Sequence, residues 1–169
     1  MVDVVKTTVP HESLLQASLA DADFYDAYQA PLHDWALSPT EIFLRASRAT
    51  PPWVGMAMAL RNRIVQRLGL KNVGAMREPG GKAADTYRVG DRLGIFNIFA
   101  KTDNELLLGI DDRHLDVRVS LMKSEQRIQN RYVVSTVVHM HNYLGQIYMA
   151  PVGRIHPFVV RAMMRRAVV

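Results

Sequence analysis

From residue 93 onward the apolar side chains recur at every second position, through runs at 93–101, 105–111, 114–123 and 131–140, and after residue 141 the period turns helical. That change of period constrains the fold more than any other feature. The third run is the cleanest: Leu115, Val117, Val119 and Leu121 alternate with Asp116, Arg118 and Ser120. Successive side chains of a strand point to opposite faces, so such a run has one dry and one wet side. Short turns, residues 102–104 among them, make consecutive runs antiparallel neighbours. The pattern predicts an antiparallel sheet covered on a single face.

Leu144, Tyr148, Val152, Ile155, Val159 and Met163 then form a stripe at helical spacing. Pro151 and Pro157 fall within it, and each removes an amide donor. The expectation is a long C-terminal helix, kinked or broken near the prolines and continuing to about Arg166.

The N-terminal half carries fewer signals. Ala22, Phe24, Asp26 and Tyr28 alternate with Asp23, Tyr25 and Ala27, which reads as a first strand within 20–29. Ser38, Pro39, Thr40 and Glu41 combine a helix-capping hydroxyl, a proline suited to the first turn and an acid placed to reach back. A helix should run from Pro39 to about Arg48. Thr50, Pro51 and Pro52 repeat the start signal, and Trp53, Met56, Ala57, Leu60, Ile64 and Leu68 recur at three- and four-residue spacing up to Gly69. Residues 71–92 read as a long connection with its tip at 78–81, and residues 1–18 as poorly structured or extended.

The predicted order is a strand, two shorter helices, a run of antiparallel strands and a long last helix. Only helices layered on the apolar side of the sheet bury both stripes at once. The fold class is therefore α+β: a helix-grip-like curved antiparallel sheet covered on one face by the C-terminal helix. At 169 residues with 49% hydrophobic side chains the chain is expected to be a single domain, able to fill a core without a staple.

It contains no cysteine, which removes disulfides, thiol nucleophiles and thiolate metal sites. A spanning helix needs about 20 apolar residues, and no run approaches that; the first ten residues also lack a signal-type apolar core. A cytoplasmic protein without a membrane span is expected. The net charge of +5 is dispersed along the chain, without blocks of like charge or interleaved aromatics, so no nucleic-acid partner is expected.

Residues 20–28, residues 51–70 with Trp53, Arg61, Asn62 and Gly69, residues 111–120 and residues 136–156 together resemble the domain-of-unknown-function family 2867 (DUF2867). The resemblance spans most of the chain. It implies a helix-grip, START-like α+β domain of bacteria, found alone or appended to short-chain-dehydrogenase-like proteins, with no established activity. The family pattern near the last helix is similar to a Pro-Phe-His-Arg run. Here the matching stretch is Arg154, Ile155, His156 and Pro157, which keeps the histidine and changes its neighbours.

Candidate site residues fall into three groups. His139 and His141 share a strand face as an H-x-H pair, a weak metal candidate lacking a third ligand. Asp112, His114 and Asp116 alternate on the polar side of the preceding run, and hairpin register decides whether His139 joins Asp116. In a catalytic reading an aspartate orients His114 as a general base, with His156 or His139 as further candidates, but no nucleophile elbow completes the set. In a binding reading Leu115, Val117, Val119, Tyr148, Val152, Ile155, Val159 and Met163 enclose a ligand between sheet and helix.

The expected function is binding of a small apolar or amphipathic molecule, without a cofactor or resident metal. The alternatives are a His/Asp proton-transfer enzyme of the same fold and a noncatalytic module docking on a protein partner.

Overall fold

A computed structural model describes residues 3–67, 82–125 and 130–167. Seven antiparallel strands form one sheet: β1 (Val5–Lys6), β2 (Phe24–Pro31), β3 (Arg92–Leu93), β4 (Phe96–Lys101), β5 (Glu105–Asp111), β6 (Leu115–Ser124) and β7 (Arg131–Met140). Their spatial order is β1-β2-β7-β6-β5-β4-β3. The helices are α1 (Pro39–Arg48), α2 (Pro52–Arg67) and α3 (Tyr143–Arg166). The chain is α+β, with two helices inserted after β2 and the long last helix laid on the sheet.

The sequence signals map onto local causes. Ser38 caps α1 as expected: its hydroxyl accepts from the Glu41 amide at 3.2 Å, and the Glu41 carboxylate accepts from the Ser38 amide at 2.7 Å. The run read as one strand at 93–101 is split in two. Gly94 takes a positive φ of 62° between paired Leu93 and Phe96, a two-residue turn that favours glycine. A register shift between Ile98 and Ala100 then bulges β4 at Phe99.

β6 and β7 pair over their full lengths, with Asp116 opposite His139, Val119 opposite Thr136 and Ser124 opposite Arg131. β2 lies on the far side of β7, with Asp26 opposite Thr136. One sheet face therefore carries Phe24, Asp26 and Tyr28 from β2, Val134, Thr136 and Val138 from β7, and Leu115, Val117, Val119 and Leu121 from β6. This is the face the helices cover. At one end α1 and the last turns of α3 close a core of Tyr28, Ile42, Phe43, Phe96, Leu106, Leu121, Tyr132 and Met164. At the other, Leu115, Val138 and Met149 pack together beneath the first turns of α3.

Three expectations need correction. The sheet is not covered on one face alone: Val9 and Leu15 of the leading segment pack on Ala27, Val133 and Val137 of the second face. A buried carboxylate anchors that segment, because Glu105 accepts from the Ser13 and Ser120 hydroxyls, both at 2.6 Å, and from the Leu14 amide. In α2 the stripe of Trp53, Met56 and Leu60 lies outward, 41%, 67% and 61% exposed, while Val54 is buried. Residues 53–60 are apolar on nearly every side apart from Gly55, so their spacing cannot choose a buried face. Finally, α3 is one continuous helix across Pro151 and Pro157, not a broken one. Leu68, Gly69 and residues 71–81 of the expected connection lie outside the described residues.

Candidate functional site

Between the two core clusters the helical face is incompletely filled. A cavity of about 320 Å³ lies under α3. From β6 it is walled by Leu115, Val117, Val119 and Leu121, and from α3 by Tyr148, Val152, Ile155, Val159 and Met163. All eight residues expected to enclose a ligand therefore surround one space. The spacing argument missed the other walls, Phe43 and Ala46 from α1, Val54, Ala57 and Met58 from α2, and Phe24, Val134, Thr136 and Val138 from the neighbouring strands. Strand parity places the β7 residues there once the register is known. Nothing local in the sequence indicates that α1 and α2 reach the same space.

The lining is almost wholly hydrocarbon. Its exposed members, Ala57 and Ile155, mark where the cavity reaches solvent. An engineered apolar cavity of about 150 Å³ stays dry and takes up benzene, so a space of about 320 Å³ has room for a two-ring or short-chain molecule.

One polar group of the wall is held by a buried partner. His156 lines the cavity from α3, and its Nδ1 lies 2.9 Å from Asp26 Oδ2 on β2. Asp26 is only 6% exposed, and its second oxygen has no hydrogen-bond partner among the described residues. An ionised carboxylate can only accept, and opposite one Nδ1 is the ring nitrogen that carries the proton. The Phe24 ring meets the imidazole edge-on, with centroids 5.8 Å apart, and fixes its plane. Nearby, burial raises the Tyr28 hydroxyl above the ordinary phenol range; Asp26 adds to that shift and Arg161 opposes it.

The other candidates serve a different purpose. His114 is buried at the turn before β6, and Asp116 is not its partner. Its Nε2 accepts from Arg113 Nε at 2.7 Å, and its Nδ1 faces Asn142 Oδ1 at 3.0 Å. Asn142 caps α3, accepting from the Leu144 and Gly145 amides, and donates to the Arg113 carbonyl. Both imidazole nitrogens are thus committed to tying the β5–β6 turn to the start of α3, which removes His114 as a general base oriented by an aspartate.

Asp116 instead pairs with His141, Oδ2 to Nε2 at 3.0 Å, and accepts from the Asp112 amide. The register does place His139 directly across from Asp116, yet the carboxylate contact goes to the histidine two residues on. Among the described residues no three His, Asp or Glu side chains converge as metal ligands. No described helix is long and apolar enough to cross a membrane.

The family model for proteins of unknown function designated DUF2867 matches residues 18–163. Comparison with curated proteins and with solved structures gives no match.

Proposed function

The chain belongs to the DUF2867 family of proteins of unknown function, and we propose that it binds a small apolar or amphipathic molecule in the cavity under α3. The observation that carries this reading is the cavity itself: about 320 Å³ of hydrocarbon-lined space in the middle of an otherwise packed face. Protein interiors rarely leave voids larger than a water molecule, and pockets that take small molecules begin at about 300 Å³. A helix laid on a sheet with a cavity between them is the helix-grip arrangement, which supports the same reading by analogy alone. A cytoplasmic location is part of the proposal, since the chain has no cysteine with which to build the disulfide framework common in small secreted domains.

The enzyme reading has less support, because the His114 ring meets Arg113 and Asn142 and not the carboxylate of Asp112 or Asp116. The binding reading is tested by thermal denaturation against a panel of fatty acids, alcohols and aromatic compounds. A ligand at a hundred times its Kd stabilises the native state by about 2.7 kcal/mol, so its Tm should climb with concentration. Val152→Phe fills the cavity from α3 and should abolish that rise while leaving the protein folded. A panel without any shift, or a shift untouched by Val152→Phe, sinks the reading.

A further inference from the structure

The Asp26–His156 pair is the least expected feature of a hydrocarbon-lined cavity. Burying a polar group costs about 1–3 kcal/mol unless it is hydrogen-bonded, and here that cost falls on Asp26, whose Oδ1 is buried and unpaired. Asp26 satisfies one imidazole nitrogen. Nε2 of His156 has no hydrogen-bond partner among the described residues, and neither does the buried Oδ1 of Asp26. A structural histidine would be expected to place both nitrogens, as His114 does with Arg113 and Asn142.

The direction of the free valence follows from the tautomer. In the neutral tautomer that gives Nδ1–H to the carboxylate, Nε2 carries a lone pair. The unpaired groups around this point are thus two acceptors, Nε2 and Asp26 Oδ1, and one donor, the buried Nε of Arg161. Thr136, which faces Asp26 across the β2–β7 ladder and also lines the cavity, has a hydroxyl that can turn either way. Arg161 lies over the Tyr28 ring and is not part of the lining, so it does not offer a donor to the cavity.

Resting on the binding function proposed above, we infer that the Asp26–His156 pair selects amphipathic ligands that carry a hydrogen-bond-donating hydroxyl, an alcohol or a phenol, received by His156 Nε2. The hydrocarbon remainder lies along Val117, Val119 and Val152. An ether or ketone of the same shape brings another acceptor to an acceptor and leaves both unsatisfied. A pure hydrocarbon leaves Nε2 as it is.

The experiment compares 2-naphthol, 2-methoxynaphthalene and naphthalene, titrated into the full chain by fluorescence or calorimetry. The expected result is at least tenfold tighter binding of 2-naphthol than of 2-methoxynaphthalene. His156→Leu should bring the two affinities together while still binding naphthalene. In the wild-type protein, two-bond proton–nitrogen NMR should show His156 protonated at Nδ1, with its Nε2 resonance moving on addition of 2-naphthol and not of 2-methoxynaphthalene.

Equal wild-type affinities for the two oxygenated compounds, or a preference that survives His156→Leu, overturns the inference and leaves the cavity reading standing. An Nε2 resonance that ignores 2-naphthol overturns it as well, and needs no variant to fold. Failure of all three compounds to bind counts against the cavity reading, and the hydroxyl preference falls with it.

Discussion

A side chain on Gly145 would overlap the carbonyl oxygen of His114, so the first turn of α3 lies on the backbone of the β5–β6 turn with no room between them. The same carbonyl accepts from the His141 amide at 2.9 Å. Since neither partner is the flexible end of a side chain, Gly145→Ala must push α3 away from the sheet. It should destabilise by about 2 kcal/mol or more, in the range of overpacked cores, measured by chemical denaturation. Gly153→Ala is the control, because its added methyl makes ordinary contacts, with the Phe24 ring at 3.5 Å and the Met149 methyl at 3.9 Å. Alanine is about 0.8–1 kcal/mol better than glycine inside a helix, so that variant should be neutral or stabilising.

Removing the Glu105 carboxylate should release the leading segment before it disturbs the sheet. Glu105→Ala leaves the Ser13 and Ser120 hydroxyls and the Leu14 amide without their acceptor. Hydrogen bonds to charged groups are worth about 1.5–3 kcal/mol each, so a loss of about 2 kcal/mol or more is expected. Hydrogen exchange should accelerate first at residues 13–19. Uniform acceleration across β6 and β7 would contradict a local latch.

Glu41 gives stability its acidic limb. The Ser38 amide, then the Ser38 hydroxyl, hold its carboxyl below the ordinary value of about 4.5. A folded-state pKa below the unfolded one contributes stability that is present above the unfolded value and lost as pH falls through the folded value. The stability difference between wild type and Glu41→Gln should therefore be constant near neutrality and shrink below about pH 4.5. Ser38→Ala should cost about 1 kcal/mol at neutral pH.

Tyr132 acts at the other end of the scale. Burial pushes its hydroxyl well above the ordinary phenol value of about 10. A raised folded-state pKa means its contribution is complete below the unfolded value and lost as pH rises beyond it. In an ultraviolet titration Tyr132 should ionise only as the protein unfolds. Tyr132→Phe should flatten the alkaline loss of stability at small cost, since the hydroxyl makes only a 3.4 Å bond to the Met164 carbonyl.

Where sequence order and spatial order coincide, the fold was legible. The Ser38 box, the alternation of Leu115, Val117 and Val119, and the α3 stripe are local statements, and each lies where its period places it. The site was legible by half. His156 drew attention as a histidine at a motif position, but Asp26 lies 130 residues away and no spacing joins them. A signal did exist: Asp26 shares a strand face with Phe24 and Tyr28, and an acid on an otherwise aromatic face needs a partner. The leading segment was illegible because it has almost no periodic structure; Val9 and Leu15 act one at a time. His114 misled because a charged turn reads alike whether it holds a substrate or the cap of a helix.

Among the described residues both ends of the sheet finish in strands of two residues, Val5–Lys6 on one side and Arg92–Leu93 on the other. Longer strands stand behind them, eight residues in β2 and six in β4, with backbone groups that another molecule's strand could pair with. Each outermost strand carries a cation, Lys6 or Arg92, and the Phe99 bulge interrupts the ladder near the second edge. Short, charged and bulged margins give an incoming strand little length on which to register. A protein with a greasy hollow at its centre must avoid sticking to its own copies whenever that hollow stands empty, and these margins close off one route by which copies could stack into fibres.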